Sequence, residues 1–85
     1  MIMIGDIVTW TSQSQGTHKE KTGTVVEVVR ANKLPNIEKI ADEYNATPPI
    51  KYGKPRSHES YLILVQYEGK RKGKLYWPRA SVLKL

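Results

Sequence analysis

Three stretches of the chain are rich in β-branched and aromatic residues and are bounded by glycine or polar residues: 6–10, 22–30 and 60–67. Such side chains pack well on a pleated surface, so each stretch predicts a strand. The second carries valines on both faces, which indicates a strand that is buried on both sides or sharply bent, with Gly23 suited to the bend. The third is apolar on both faces and predicts the central strand of the core.

In the middle of the chain, apolar residues recur at spacings of three and four, and this periodicity predicts a helix of about ten residues. Its apolar stripe consists of Leu34, Ile37, Ile40, Ala41 and Tyr44. Pro35 suits the first turn and Asn45 the end, while the two prolines at 48–49 prevent any continuation because proline has no backbone N–H to donate. An amphipathic stripe normally covers its own core, so we expect it to pack over the sheet.

The C-terminal third predicts a basic turn between two strands. Residues 68–73 contain two glycines and three consecutive cations, which is typical of a turn leading from strand 60–67 into a short strand at 74–77. Pro78 ends that pairing, and residues 80–85 are long enough for one helical turn and a closing strand. This order of elements is that of an SH3-like barrel, in which a sheet curls until few strand edges stay exposed.

We therefore predict a mainly β fold, a small SH3-like barrel of about five strands that spans residues 1–85 and carries one short helix in an insertion at 31–58. A single domain of 85 residues has no room for a catalytic cleft between domains. The absence of cysteine excludes a disulfide scaffold and a thiolate zinc module. Without a signal peptide or an apolar run of roughly 20 residues, we expect a cytoplasmic protein with no membrane partner.

The positive charge of the chain is concentrated toward its C-terminal end. The formal net charge is +6, yet residues 50–85 carry nine basic groups against two acidic ones, Glu59 and Glu68, a local excess of +7. The potential of such an excess extends over about a Debye length, roughly 8–10 Å, and attracts phosphates or an acidic protein surface. A solvated face that keeps a small protein soluble would carry the same charge.

Aromatic residues stand next to these cations, and the combination indicates nucleic acid. Cations neutralise phosphates and aromatic faces stack bases. Strand alternation puts Tyr76 and Trp77 on opposite faces, so we expect Trp77 to be buried and Tyr76 to stack. In such a barrel the loops near the first and third hairpins approach each other and bring further cations. The candidate nucleic-acid-binding residues are Lys19, Lys21, Arg56, Lys70, Arg71, Lys72, Lys74, Tyr76 and Arg79. The prediction is weak, low-specificity binding of RNA or DNA through the basic turn at 69–74.

Residues 5–25 resemble the KOW segment of large-subunit ribosomal proteins and transcription-elongation factors. The pattern begins with Gly-Asp-Ile-Val at 5–8 and continues over 16–25, where Gly, Lys, Lys, Gly and Val follow at the family's spacing. The link between the two parts is longer than in the family, and Glu20 stands where the family tends to have a turn glycine. The resemblance implies an SH3-like barrel that binds RNA, with a role for Lys19 and Lys21. The whole chain also resembles small uncharacterised bacterial or phage proteins, which implies no function.

A protein partner is the alternative function. Exposed aromatic side chains anchor many interfaces, and the chain has more aromatic residues than so small a core can bury. These are Trp10, Tyr52, Tyr61, Tyr67 and Tyr76. The insertion at 31–58 is long for a connection in a compact domain, and long ordered loops are often functional. On this interpretation the chain is a monomeric SH3-like adaptor of bacterial or phage type that contacts an acidic protein surface.

The residue groups that catalysis needs are missing from the sequence. His18 and His58 are the two histidines, and both fall in predicted loops without the ligand spacing of a metal site. Residues 69–74 differ from a phosphate-binding loop by one missing spacer and by Leu75 where a hydroxyl should meet magnesium. We therefore expect a non-enzymatic protein that needs no metal and no cofactor.

Overall fold

The computed structural model describes residues 2–14, 17–49 and 54–85. A mixed sheet forms most of this structure. The strands are β1 Ile7–Ser14, β2 Thr17–Val29, β3 Ala46–Thr47, β4 Ser60–Val65 and β5 Gly73–Tyr76, and the helix is α1 Ile37–Tyr44. The strands lie in the order β1-β2-β4-β5-β3, with β3 parallel to β5 and the other neighbours antiparallel. The predicted mainly β fold with one short helix is thereby confirmed.

The polar segment after the first predicted strand forms the two arms of a long hairpin. Trp10 pairs with Lys21 and Thr11 with Glu20, and the register continues to Ser14 opposite Thr17. The connection at residues 15–16 lies outside the described part of the chain. Glu20 is therefore an ordinary ladder residue and not the turn residue of the KOW pattern, so nothing at this position requires the left-handed backbone that favours glycine.

The bend in β2 comes from a β-bulge. The register with β4 shifts between Val25 and Glu27, so the side chains switch faces at this point and the valines of the strand supply both sides of the sheet. Gly23 was predicted to suit a bend, and the register shift lies after it in the strand. A Cβ atom at Gly23 would lie 2.6 Å from Ile63 Cγ2 and 2.7 Å from the Leu64 carbonyl oxygen. Glycine is required here by the close approach of β2 and β4.

Strand β4 is the centre of the sheet, as its sequence predicted. It lies between β2 and β5, and every residue from Ser60 to Val65 is buried. Leu62 and Leu64 pack with α1 on one face, while Tyr61, Ile63 and Val65 pack with β1 on the other. Both faces of this strand exclude water, which explains its unbroken apolar sequence.

Helix α1 is shorter than the predicted helix. Asn36 is the N-cap, whose side chain accepts a hydrogen bond from the Lys39 backbone N–H, and Asn45 ends the helix in the left-handed conformation at φ 49°. Pro35 therefore precedes the helix and does not occupy its first turn. The buried positions are Ile37, Ile40 and Ala41. Leu34 and Tyr44 are 52% and 41% exposed, so only the central part of the predicted stripe covers the sheet.

The predicted closing strand is reduced to a bridge. After a one-turn helix at Ala80–Val82, Lys84 exchanges two backbone hydrogen bonds of 2.7 and 2.8 Å with Thr9 of β1. This bridge ties the C-terminal segment to the outer edge of β1. The fifth strand is instead β3, a two-residue element directly after α1 that pairs with the start of β5. The described residues include no helix with the length and hydrophobicity needed to cross a membrane.

Candidate functional site

The two faces of strand β5 belong to different core clusters, and one of them also carries functional groups. Leu75 and Trp77 are buried among the residues that contact α1. Lys74 and Tyr76 are partly exposed on the other side, where Tyr76 packs at the margin of the cluster that contains Trp10. The predicted alternation is confirmed: Trp77 is 7% exposed, and its indole Nε1 donates a 2.7 Å hydrogen bond to Ser60 Oγ in the core. The exposed side of β5 therefore presents Tyr76.

Two lysines from different parts of the sequence meet at the Tyr76 ring. The Nζ atoms of Lys21 and Lys74 lie 4.8 and 5.1 Å from the ring centroid, within the range of cation–π attraction. Lys21 also donates a hydrogen bond of 3.3 Å to the Tyr76 hydroxyl. Lys21 of the first hairpin therefore contacts the third hairpin, as predicted. This contact places two positive charges beside the same ring.

Tyr67 completes this cluster. Its hydroxyl lies 2.6 Å from the hydroxyl of Tyr76, and this hydrogen bond, with partial burial, raises the pKa of Tyr67. The phenol therefore stays neutral at physiological pH. The sequence analysis offered Tyr67 only as an exposed aromatic residue. Its place follows from the hairpin register, because Ile63 opposite Tyr76 and Val65 opposite Lys74 put the side chain of residue 67 on the same face.

The basic turn forms a recess beside the cluster. Gly69 turns the chain with φ +75°, and the Lys70 backbone N–H donates to the Tyr67 carbonyl at 3.1 Å. The recess has a volume of about 370 Å³. Its walls are Thr47, Tyr67, Lys70, Lys72, Gly73 and Lys74. Three of the predicted lysines thus share one concave surface, and the two-residue strand β3 supplies a hydroxyl to it.

Arg71 and Lys19 are exposed at the edges of this region. The Arg71 carbonyl accepts a hydrogen bond of 3.4 Å from Asn45 Nδ2, which joins the basic turn to the end of α1. Lys19 is exposed on β2, two positions before Lys21 and therefore on the same face of the strand. The structure describes no side-chain contact between either residue and the Tyr76 cluster.

Arg56 is held by the backbone at the end of β5. Its Nη1 and Nη2 donate to the carbonyl oxygens of Pro78 and Trp77 at 2.7 and 2.6 Å, and the guanidinium lies 4.0 Å from the centroid of the Trp77 ring. Burial and the nearby charge of Arg79 lower the pKa of Arg56. Arg56 and Arg79 line a shallow recess with Ser57, His58 and Ser81. Two of the Arg56 donors are therefore engaged within the protein.

An apolar groove that the sequence did not predict includes Tyr76 and Arg79 in its lining. Trp10 contacts Tyr76 edge-on, with ring centroids 5.7 Å apart and an angle of 63° between the planes. The groove has a volume of about 320 Å³. Its walls are Trp10, Thr11, Tyr76, Trp77, Pro78, Arg79 and Val82. No periodicity marks such a groove, because its walls come from β1, the end of β5 and the one-turn helix.

The aromatic residues offered as exposed anchors differ widely in burial. Trp10 is 4% and Tyr61 is 8% exposed, while Tyr67 is 40% exposed and Tyr76 is intermediate. The expectation that some of these aromatic residues show at the surface is confirmed by Tyr67, whereas Trp10 and Tyr61 belong to the core cluster on the β1 side. Tyr52 lies outside the described residues. Within residues 2–14, 17–49 and 54–85, three or more His, Asp or Glu side chains nowhere form a group that could hold a metal ion.

Protein-family models, curated proteins and solved structures give no match to this chain. The features that define the site are the two lysines on Tyr76, the lysine-lined recess and the apolar groove.

Proposed function

We propose that this chain is a non-enzymatic, monomeric binding module that binds RNA or DNA weakly and with little sequence preference. The binding surface in this proposal, which we name the basic face, comprises Lys21, Tyr67, Lys70, Lys72, Lys74 and Tyr76. The observation that carries the proposal is the pair of lysines on Tyr76, one from β2 and one from β5. Like charges in proximity repel each other, and an anion that binds both relieves this repulsion.

The polar chemistry of the basic face supports phosphate as the ligand. Lysine ammonium groups donate and never accept hydrogen bonds, and the tyrosine hydroxyls can donate as well. The Tyr76 hydroxyl accepts a hydrogen bond from Lys21 Nζ and lies within hydrogen-bond distance of the Tyr67 hydroxyl. Two groups that can donate hydrogen bonds therefore lie beside this one oxygen atom. A phosphate oxygen in the neighbouring recess would meet ammonium groups and hydroxyls together, as sequence-independent binding to a nucleic-acid backbone requires.

We extend the proposal to the fold and infer an SH3-like barrel. A long first hairpin, a second strand with a bulge, two further antiparallel strands, a one-turn helix and a bridge back to β1 follow each other along the chain. This sequence of elements supports the inference, with β3 as an additional strand and a bridge in place of the closing strand. Lys19 lies on the face of the hairpin that carries Lys21, so it would extend the basic face toward a longer strand of nucleic acid.

A titration with charge-matched variants tests the proposal. A labelled oligouridylate of about eight nucleotides and a duplex DNA are titrated by fluorescence anisotropy at several salt concentrations. The test variant is Lys21→Gln/Lys74→Gln, and the control is Lys33→Gln/Lys39→Gln, which removes two exposed lysines away from Tyr76. If the first pair contacts phosphates, the magnitude of the log–log salt slope falls by roughly 0.7 per lysine on a single strand, and the control retains the slope.

The outcomes separate a specific surface from general charge. Equal weakening in the two double variants would mean that net charge alone drives binding, and would overturn the assignment to the basic face. If the wild-type protein binds neither ligand at low salt, nucleic-acid binding itself is refuted.

An acidic protein partner is the second candidate function, and the exposure of Tyr67 beside the lysines favours it. Exposed tyrosine next to cations is typical of protein interfaces as well as of nucleic-acid sites. Polyglutamate serves as the probe, because it offers negative charge without bases or phosphates. If polyglutamate binds as tightly as the oligouridylate at equal salt and depends on the same lysines, the protein partner is favoured.

A further inference from the structure

Cations lie at two places in the lining of the apolar groove. Tyr76 lines the groove, and its ring contacts the ammonium groups of Lys21 and Lys74. Arg79 also lines the groove, and it shares a second recess with Arg56. The groove therefore combines apolar walls with nearby positive charge, which matches a ligand that joins a planar apolar group to anionic groups.

A single-stranded nucleic acid has this alternation of charge. Each base is a planar apolar surface, and the phosphates that flank it carry the negative charge. In a duplex the bases are stacked and paired, so the groove could not reach a base face without opening the helix. The groove volume of about 320 Å³ falls at the lower end of the roughly 300–1,000 Å³ of small-ligand pockets, a size suited to one planar ring system.

The surroundings of Tyr76 change the role predicted for this residue. Its ring already contacts two ammonium groups and the edge of Trp10. The ring therefore already has two cations and an aromatic edge beside it. Exposed apolar surface in the same groove is found at Val82, which is 41% exposed.

We propose that the groove between Trp10, Pro78 and Val82 holds one base of a single-stranded nucleic acid, with the flanking phosphates at the Lys21–Lys74 pair and at Arg79. This inference rests on the proposed function and adds a preference for single strands over duplex.

The intrinsic fluorescence of the protein reports directly on this groove. The chain has two tryptophans, and both Trp10 and Trp77 line the groove. A base in the groove should therefore quench or shift the tryptophan emission, whereas a phosphate bound at the basic turn alone should leave it unchanged. No label on the protein is needed.

The decisive ligand pair is an oligothymidylate and an abasic oligomer with the same number of phosphates. Because the charges match, salt-dependent backbone attraction is equal for the two, and the difference in affinity measures the base. A stacked base contributes about 5- to 150-fold in affinity, so the abasic oligomer should bind weaker by such a factor and leave the emission unchanged. A duplex of the same strand should also bind more weakly than the single strand at equal salt.

The matched protein variants are Val82→Gln and Leu85→Gln. Both replace an apolar residue near the C-terminus that is exposed to solvent, 41% for Val82 and 72% for Leu85, by the same neutral polar side chain. Only Val82 lines the groove. We expect Val82→Gln to bind the oligothymidylate roughly 2- to 5-fold more weakly, because the base no longer covers the exposed apolar surface of Val82, while binding the abasic oligomer as the wild type does. Leu85→Gln should bind both ligands like the wild type.

Each remaining outcome overturns a defined part of the reasoning. Equal affinity for the oligothymidylate and the abasic oligomer, with the lysine dependence intact, would refute base binding and leave the proposed function standing. If neither oligomer binds at low salt, the proposed function fails and this inference fails with it. If a proline-rich peptide changes the tryptophan emission and Val82→Gln abolishes that change, while the oligothymidylate has no effect, the groove is a peptide site.

Discussion

Removing the buried hydroxyl of Ser60 should show how much its hydrogen bond to Trp77, a residue that lines the groove, contributes to stability. Ser60 is fully buried, and its Oγ accepts the 2.7 Å hydrogen bond from Trp77 Nε1. The substitution Ser60→Ala removes this acceptor and little else. The indole N–H then faces a methyl group in a place that water cannot reach.

The expected cost follows from the burial of both partners. Leaving a buried donor without an acceptor costs about 1–3 kcal/mol, more than the net contribution of roughly 1 kcal/mol of the hydrogen bond itself. The loss of one hydroxyl adds only a small change in packing. We therefore expect Ser60→Ala to lower the free energy of unfolding by about 1–3 kcal/mol. In a domain of this size each 1 kcal/mol shifts Tm by roughly 4–8 °C.

A double-mutant cycle isolates this hydrogen bond. Urea unfolding is measured by circular dichroism for the wild type, Ser60→Ala, Trp77→Phe and the double variant. Phenylalanine has no N–H group, so Ser60→Ala should cost less than about 0.5 kcal/mol in the Trp77→Phe background, because replacing both partners by apolar groups is nearly neutral. The exposed Ser57 gives the control variant Ser57→Ala, which should stay within about 0.5 kcal/mol of the wild type.

The cycle can contradict the reasoning in a direct way. If the costs of Ser60→Ala and Trp77→Phe simply add, the two side chains do not interact energetically. The buried hydrogen bond would then not be what orients Trp77 beneath Arg56 and beside the groove.

Two further predictions concern the sheet and the tyrosine pair. Gly23→Ala should destabilise by about 1–3 kcal/mol in urea unfolding, because its Cβ would lie 2.6 Å from Ile63 Cγ2; an unchanged midpoint would refute this close approach. Tyr67 has a raised pKa, so its hydrogen bond to Tyr76 stabilises the fold below the usual tyrosine pKa of about 10 and is lost as pH rises through the raised value. Tyr67→Phe should therefore lower the free energy of unfolding at neutral pH, and its phenolate absorbance titration should lack one of the tyrosines whose pKa is raised in the wild type; an unchanged high-pH part of the titration would contradict the assignment.

The sheet's central strand could be predicted because its signal is local. Each residue of β4 is apolar or small over a continuous stretch, and burial on both faces is the simple consequence. The burial of Trp77 followed from alternation along β5 in the same way. By contrast, the predicted helix was too long. Leu34 fits the apolar spacing, but it precedes the Asn36 N-cap and lies outside the helix. A spacing of three or four places side chains on one face only where the backbone is helical.

The fifth strand and the C-terminal bridge could not be predicted from local patterns. Strand β3 pairs with β5 through backbone groups, and Lys84 pairs with Thr9 likewise. Backbone N–H and C=O groups are the same in nearly every residue, so side-chain patterns do not indicate which distant segments pair. The valines of β2 predicted a strand buried on both sides or sharply bent, but they did not indicate the register shift between Val25 and Glu27.

The sequence predicted which cations belong to the candidate site, but not which groups those cations and the neighbouring tyrosines contact. Lysine and arginine near the C-terminus indicated an anion-binding surface, and Lys21 was included with them. The partners of these cations were not predictable: Arg56 donates to the carbonyl oxygens of Trp77 and Pro78, and the Tyr67 hydroxyl lies beside that of Tyr76. Both contacts depend on the register of strands that are distant in sequence.

The amino-acid sequence alone determined that the protein is mainly β, which strand lies at its centre and where its positive charge is concentrated. These properties depend on residue type and on spacing over a few positions. Only the tertiary structure decided that Lys21 and Lys74 meet at one tyrosine ring and that an apolar groove opens beside it. A site assembled from several strands is a property of their register and curvature, which the packing of the whole chain determines.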